Sequence, residues 1–210
     1  EVIVGTKDMP YEDYLELRGL CFTISSFFGS TELIPLKKLL FEFNVDIAKW
    51  IFNIHSKLSD YPDLYKNYES FLKETKEELF ETREELVEFF NREKNYNDLV
   101  EGKKGDNLLR KYKCMLLSKY YQSYLNIAIL EARKLVSLKL GNKKTNDMIN
   151  DVKKYLSTRD MGQILREGKI PSEQKIILKY DVPTWLKSTV KLEELEIDKQ
   201  YIIKFYPGTK

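Results

Sequence analysis

One stretch near the middle of the chain limits the possible folds more than any other. Residues 108–140 read as one long helix that ends at Gly141. The middle of this stretch is apolar on most faces, which predicts a central helix that other helices cover. It does not qualify as a membrane span, because Lys119, Gln122 and Asn126 interrupt the apolar run. The chain is therefore expected to form a helical bundle around this segment, with no membrane partner.

Shorter helices are predicted on both sides of this segment. The 210 residues include only 9 Gly and 6 Pro, which favours long helices over β structure with many turns. In the first predicted helix, apolar residues recur at alternating spacings of three and four and so share one face. These residues are Tyr14, Leu17, Cys21, Ile24 and Phe28. The predicted helices cover about 10–28, 32–43, 45–58, 63–93, 108–140 and 145–158.

The two ends of the chain differ from the helical middle. "EVIV" at the start reads as a short strand. Near the other end, "QKIILKYDV" and "QYIIKFY" are rich in β-branched and aromatic residues and predict two strands. Single helical turns are expected between these strands, and Trp185 is expected to anchor the tail on the helices.

These patterns predict a chain in three parts. Residues 1–9 are expected to be a strand or linker from a preceding domain, and 10–160 a helical bundle. Residues 161–210 are expected to form a small β/α C-terminal appendage packed on the bundle. The predicted fold class is therefore mainly α, an irregular helical bundle with long antiparallel helices and a small terminal β element.

Charge is distributed unevenly along the helices, although the net charge of the chain is only +2. Residues 69–94 hold nine Asp or Glu against five Lys or Arg, and 103–144 hold eleven Lys or Arg against two Asp or Glu. The loop between these runs lets them pack antiparallel, so charge complementarity across a helical hairpin explains both. The other interpretation is contact of the basic run, with its interleaved tyrosines, with nucleic acid. The hairpin is the better supported, and nucleic acid is not expected as a partner.

The chain is poor in cysteine and histidine, the two residue types that most often form metal and nucleophilic sites. Cys21 and Cys114 are the only cysteines and His55 is the only histidine, too few for a usual zinc site. The motifs of dinucleotide-binding, P-loop, α/β-hydrolase and zinc-protease sites are absent. A Glu-x-x-His di-iron motif is also missing, since Phe52 stands three residues before His55. No catalytic residue, cofactor-binding residue or metal ligand is therefore assigned in this chain.

Both cysteines lie in apolar helical patterns, so buried and reduced thiols are expected at Cys21 and Cys114. Two cysteines do not make a disulfide framework, which indicates the cytoplasm. A nucleophilic pair of either thiol with His55 is disfavoured, because nothing suggests an orienting third group. Most of the 14 tyrosines are expected in or near the core with bonded hydroxyls, although some could line a cavity for an organic ligand.

The order of the elements and two short motifs resemble a known family. In that family a strand leaves the catalytic barrel and enters a turn and helix of the pattern small–x–x–Met–x–x–Glu-Asp-Tyr/Trp–x–Glu–x–Arg. Its members often close with a segment similar to "YDVPTWL" and a short strand, as Tyr180 to Leu186 and Tyr201 to Phe205 do here. In these respects the chain is similar to the C-terminal region of the cobalamin-binding radical SAM proteins. The residues that match the first motif are Thr6, Met9, Glu12, Asp13, Tyr14, Glu16 and Arg18.

The resemblance implies a parent enzyme of methyltransferase type that holds a [4Fe–4S] cluster, S-adenosylmethionine and cobalamin. The C-x-x-x-C-x-x-C motif that holds the cluster is absent from this chain, as is a cobalamin-binding Rossmann half. The expected function is therefore an accessory, non-catalytic C-terminal domain that covers the catalytic barrel of the same parent chain or shapes its substrate cavity. The alternative is a free-standing helical interaction module that binds protein or nucleic acid.

Three residues of the first helix are the candidate contacts under this resemblance. If the helix over 10–28 lies nearest the barrel, Asp13, Tyr14 and Arg18 offer polar groups to the barrel or to its substrate. Helix capping and solvation are the alternative roles of these three side chains.

Overall fold

The computed structural model describes residues 7, 9–160 and 173–204, with side chains at 7, 9–160 and 175–197. Within these ranges the chain is mainly α-helical and carries a two-stranded antiparallel sheet. The predicted fold class, a helical bundle with a small terminal β element, is thereby confirmed. The strand predicted at "EVIV" lies outside the described residues.

The elements are numbered in chain order. The helices are α1 (Tyr11–Thr23), α2 (Ile34–Glu42), α3 (Ile47–Ser56), α4 (Pro62–Glu77), α5 (Arg83–Phe90), α6 (Glu93–Val100), α7 (Leu108–Lys119), α8 (Tyr121–Leu140), α9 (Lys143–Ser157) and α10 (Val182–Leu186). A π-helical turn, Ile24–Phe28, extends α1, and 3₁₀ turns occupy Leu58–Asp60 and Leu192–Glu194. The strands are β1 (Glu173–Tyr180) and β2 (Glu196–Lys204), which pair antiparallel with Ile177 opposite Gln200.

Helix α8 lies at the centre of the bundle, as its sequence predicts. Helices α2, α3, α4, α7 and α9 all pack against it. The indole Nε1 of Trp50 on α3 donates a hydrogen bond to the Ala128 carbonyl at 3.0 Å, and the Tyr124 hydroxyl donates to the Ser26 carbonyl at 2.8 Å. The buried tyrosine with a bonded hydroxyl is the arrangement expected for this residue type in a core. The buried residues of α8 are Tyr121, Tyr124, Leu125, Ile127, Ala128, Ile129, Glu131, Ala132, Leu135 and Val136.

Each of the two longest predicted helices is interrupted in the structure. Helix α5 is separate from α4 and begins at its own N-cap, where the Thr82 hydroxyl accepts the Glu85 N–H at 3.1 Å. Between α7 and α8, Tyr120 has φ −122° and ψ 21°, outside the helical region. The single helices predicted over 63–93 and 108–140 are therefore wrong. The apolar periodicity continues through both breaks, so it does not reveal where the backbone leaves the helix.

The charge-complementary hairpin is present in part. Helices α4 and α7 run antiparallel: Asn67 Nδ2, in the first half of α4, donates to the Tyr112 carbonyl at 3.2 Å, whereas Glu77 at the end of α4 and Leu108 at the start of α7 line the same cavity. Between these points Glu74 meets Lys111. The Lys111 Nζ to Glu74 Oε2 distance is 2.6 Å. Phe71 and Tyr112 fill the space between the helices with their rings edge to face. The glutamates of α5 are exposed and do not take part in this pairing.

One carboxylate at the end of α2 fastens the C-terminal segment to the bundle. Glu42 accepts hydrogen bonds from Trp185 Nε1 and from the Leu192 N–H, each at 2.9 Å. Lys38, one turn earlier, donates from Nζ to the carbonyls of Trp185 and Ser188. The Trp185 side chain is fully buried, so it anchors the tail as predicted.

A second carboxylate, on α9, holds β1 by its backbone. Asp151 is only 2% exposed and accepts the backbone N–H groups of Lys179 at 2.5 Å and Tyr180 at 2.9 Å. The Lys154 ammonium, 3.0 Å from the same carboxylate, supplies the opposite charge. A buried carboxylate that accepts several hydrogen bonds is stabilising only while its partners remain in place.

The Asp151→Asn substitution is therefore expected to lower the free energy of unfolding by about 2 kcal/mol. One oxygen of Asp151 accepts both backbone N–H groups and the other accepts the Lys154 ammonium, so a neutral amide would turn its NH₂ donor toward one of these two sets of donors. Asp147→Asn on the same helix is the control, since Asp147 makes only a partly exposed ion pair with Lys179 at 3.3 Å. This control should cost less than about 1 kcal/mol. Urea unfolding of both variants measures the difference, and equal losses would contradict the role given to Asp151.

Candidate interaction surface on the first helix

The outward face of α1 and the π turn carries four apolar side chains in a row. These residues, called the α1 stripe below, are Leu17, Cys21, Ile24 and Phe28. The side chains of Leu17, Ile24 and Phe28 are 51%, 41% and 45% exposed, and Cys21 is also exposed. A contiguous apolar surface of this kind is typical of an interaction site, whereas single exposed apolar residues are ordinary.

The α1 stripe is exposed because the opposite face of the same helix is already buried. Phe22 stacks on Phe71 of α4 with ring centroids 4.8 Å apart, and Phe27 lies 4.6 Å from Tyr124 of α8. Both phenylalanines are nearly inaccessible to solvent. Apolar residues therefore occupy two faces of α1. The face with Phe22 and Phe27 packs in the core, and the regularly spaced face of the α1 stripe remains exposed.

The exposure of this stripe overturns one prediction about the cysteines. Cys21 and Cys114 are both exposed, so the expectation of buried thiols is wrong. The physical reason at Cys21 is the orientation of α1, which turns Leu15, Gly19 and Phe22 toward the core instead. An apolar helical pattern around a cysteine shows that the residue lies on an apolar face of the helix. It does not show whether another helix packs on that face.

The π turn continues both the buried and the exposed face of α1 to Phe27 and Phe28. The Gly29 N–H donates to the Ile24 carbonyl at 3.0 Å, which is the i to i+5 bond of a π-helix. Within this turn Phe27 stays in the core and Phe28 points to solvent. The Ser26 hydroxyl is buried without a hydrogen-bond partner. Single π turns in α-helices occur frequently at functional sites, which supports an interaction site at this end of the stripe.

The two ends of the α1 stripe carry opposite charge. Glu12 and Asp13 lie in the first turn of α1. At the other end, Lys37 donates to the Ser30 carbonyl at 2.8 Å and Lys113 donates to the Gly29 carbonyl at 3.2 Å. Burial, and then the nearby charge of Lys113, lower the pKa of Lys37. A partner surface would therefore meet an acidic end, an apolar middle and a basic end.

The structure separates the three residues that the sequence proposes as contacts. Asp13 is exposed in the first turn of α1, beside the start of the stripe. Tyr14 is half-buried and stacks on Tyr11 with centroids 6.2 Å apart. Arg18 turns toward α4, where its guanidinium lies 5.6 Å from the Phe71 ring centroid and its Nε is buried without a hydrogen-bond partner.

The only histidine lies beside this helix and serves its packing. His55 Nδ1 is 2.8 Å from the Thr23 hydroxyl, and the ring meets the Tyr68 ring edge to face. Thr23 is fully buried, so its hydroxyl cannot reach a substrate. In the part of the chain that the structure describes, no hydrogen bond joins His55 to Cys21 or Cys114. Burial lowers the pKa of His55, and the charge of Glu16 opposes this shift.

In the described part of the chain, no metal-binding cluster accompanies the stripe. Among residues 9–160 and 173–204, no three His, Cys, Asp or Glu side chains are grouped so that they could hold a metal ion. None of the helices in these ranges has the length and apolar character needed to cross a membrane. Comparisons with protein-family models, with characterised proteins and with solved structures find no match to this chain.

The lowered pKa of His55 predicts a pH dependence of stability. In the unfolded chain the His55 imidazole takes up a proton as the pH falls through about 6.5. In the folded chain its pKa is lower, so the imidazole stays neutral at that pH and the unfolded state binds more protons. We therefore expect the free energy of unfolding to be undiminished above pH 6.5 and to decrease as the pH falls below that value. Urea unfolding between pH 7.5 and 5.5 should show the decrease, and it should be smaller in His55→Asn, which keeps a polar group near Thr23. Parallel pH profiles of the two proteins would refute this assignment.

Proposed function

We propose that this chain is an accessory, non-catalytic helical domain that docks on another protein domain through the α1 stripe. The observation that carries the proposal is the apolar face of Leu17, Cys21, Ile24 and Phe28, which no described residue covers although the opposite face of α1 is packed. Covering such a face releases water from apolar surface and stabilises the contact by about 25 cal/mol per Å² buried.

The resemblance to the cobalamin-binding radical SAM proteins supplies the proposed partner. In that family the helix after the exit strand follows directly on the catalytic barrel. Met9, Glu12, Asp13, Tyr14 and Arg18, which match the family pattern, lie on or next to the helix that carries the α1 stripe. We propose that α1 faces the barrel of the same polypeptide, in the cytoplasm, so that the domain covers the barrel or shapes its substrate cavity.

The cofactors of such an enzyme do not fit the residues of this chain. A [4Fe–4S] cluster is held by cysteine thiolates, three of them in the family motif, and only Cys21 and Cys114 are present, on different helices. The cluster, S-adenosylmethionine and cobalamin are therefore assigned to the parent enzyme's other domains. The proposed role of this chain is limited to packing and to shaping the space beside the barrel.

A free-standing module that binds another protein would use the same stripe. The nucleic-acid form of this alternative has less support, because lysines of the basic run already have partners within the chain. Lys111 pairs with Glu74 at 2.6 Å, and Lys134 pairs with Glu131 at 2.6 Å. Retention on heparin or a mobility shift at physiological salt would favour the nucleic-acid form, since phosphate contacts are strongly salt-dependent.

The encoding reading frame gives the first test of the proposal. A C-x-x-x-C-x-x-C motif some hundreds of residues upstream of Glu1 is expected, as part of a catalytic barrel. A start codon directly before Glu1 would rule out the radical SAM form and leave the free-standing module.

Hydrogen exchange on the longer protein gives the second test. We expect amides of 11–28 to exchange about tenfold more slowly in the full protein than in this chain alone, because docking covers the α1 stripe. The exposed helices α5 and α6 provide the internal control and should exchange alike in both. Leu17→Asp with Ile24→Asp should remove the protection without unfolding the domain, since both side chains are largely exposed. Equal exchange of 11–28 in the two proteins would contradict docking by this face.

A further inference from the structure

A cavity of about 450 Å³ opens between the end of α4, helix α5 and the loop before α7. It is separate from the α1 stripe and within the size range of cavities that hold small organic molecules. None of its lining residues is a tyrosine, so this is not the tyrosine-lined cavity that the sequence left open. Its apolar lining consists of Phe80, Leu86, Phe89, Phe90 and Leu108.

Three phenylalanine rings form one wall of this cavity. The centroid of Phe89 lies 5.2 Å from that of Phe80 and 5.2 Å from that of Phe90, and Phe89 and Phe90 meet edge to face. The face of an aromatic ring carries partial negative charge and attracts cations. The protein already uses this property, because the Lys104 ammonium lies 4.2 Å from the Phe89 ring centroid.

The other two lysines at the cavity are neutralised by carboxylates. Lys111 Nζ lies 2.6 Å from Glu74 Oε2. Lys103 Nζ lies 2.5 Å from Glu101 Oε2 and 3.8 Å from Asp98 Oδ1. Neither ammonium is therefore a strong site for an anionic ligand.

The carboxylates at the cavity outnumber the remaining cation. Once the paired lysines are set aside, Glu77, Glu78 and Asp106 line it together with one further lysine, Lys104, and the charge of Arg18 also acts on Glu78. Glu77 has a single weak, exposed contact with Lys73 at 3.9 Å. Burial, and then the charge of Glu74, raise the pKa of Glu78, and the opposing charges of Arg18 and Lys111 offset only part of this rise. The cavity thus combines an aromatic wall with a surplus of negative charge.

We propose that this cavity binds a small organic ammonium ion with an apolar body. Its ammonium group takes the place of the Lys104 ammonium on the Phe89 face, close to Glu78, and its apolar body packs on Phe80 and Phe90. The Lys104 ammonium can leave because its side chain is partly exposed and forms no ion pair with any residue that the structure describes, so only its contact with the Phe89 ring is lost. This binding site is additional to the proposed docking function, and neither depends on the other.

Three probes of similar shape and different charge test the proposal on this chain. These are 2-phenylethylammonium, 2-phenylethanol and 3-phenylpropionate, titrated at low salt and followed by calorimetry or by NMR shifts. We expect the ammonium to bind about tenfold more tightly than the carboxylate, with the affinity of the alcohol between them. The reason is that only the ammonium can form both a partly exposed ion pair and a cation–π contact. Equal affinities, tighter binding of the carboxylate or no binding of the ammonium would each overturn the proposal.

Two substitutions with opposite expected effects locate the binding in this cavity. Glu78→Gln should weaken binding of the ammonium about threefold to fivefold and leave the alcohol unchanged. Lys104→Gln should strengthen ammonium binding, because it removes both a competing cation and a positive charge. Glu88→Gln is the matched control, since Glu88 is an exposed glutamate of α5 that does not line the cavity. Equal effects of the two glutamate substitutions, or weaker ammonium binding in Lys104→Gln, would place the binding elsewhere.

Discussion

The need to cover helix α8 governs the arrangement of the other helices. Its buried residues spread over more than half of its circumference, at 100° per residue, so one neighbour cannot shield them. Five helices pack around it, and its tyrosines bond to the carbonyls of Ser26 and Leu156 in two different elements. These bonds give the buried tyrosine hydroxyls a hydrogen-bond partner in place of water. They also join α8 to the π turn and to α9.

The position of α1 follows from this packing. Phe27 reaches the Tyr124 ring and Phe22 reaches α4, which commits one face of α1 to the core. The helix carries a second apolar face, and in this chain nothing described covers it. A helix with two apolar faces has two ways of packing when considered alone, and the free energy gained around α8 decides between them. The uncovered α1 stripe is the basis of the proposed docking function.

Charge shapes the other side of the bundle. The acidic and basic runs do pair, but only at α4 and α7, where Glu74 and Lys111 meet. Because α5 begins at its own cap after Thr82, its phenylalanines turn toward the loop before α7 and enclose a cavity. Four carboxylates and three lysines line that cavity, so the same break that interrupts the predicted hairpin creates the second proposed binding site.

The sequence by itself determined the helical class, the central role of 108–140, the pair of C-terminal strands and the anchoring by Trp185. These features depend on local periodicity, residue type and turn signals, which act within a few residues. The tertiary structure alone decided which face of α1 is buried, where the helices break at Tyr120 and before Thr82, and that Cys21 is exposed. It also decided that the half-buried Arg18 side chain turns toward the Phe71 ring. The physical reason is the same in each case: spacing shows that a face is apolar, but only contacts between distant segments determine what covers it.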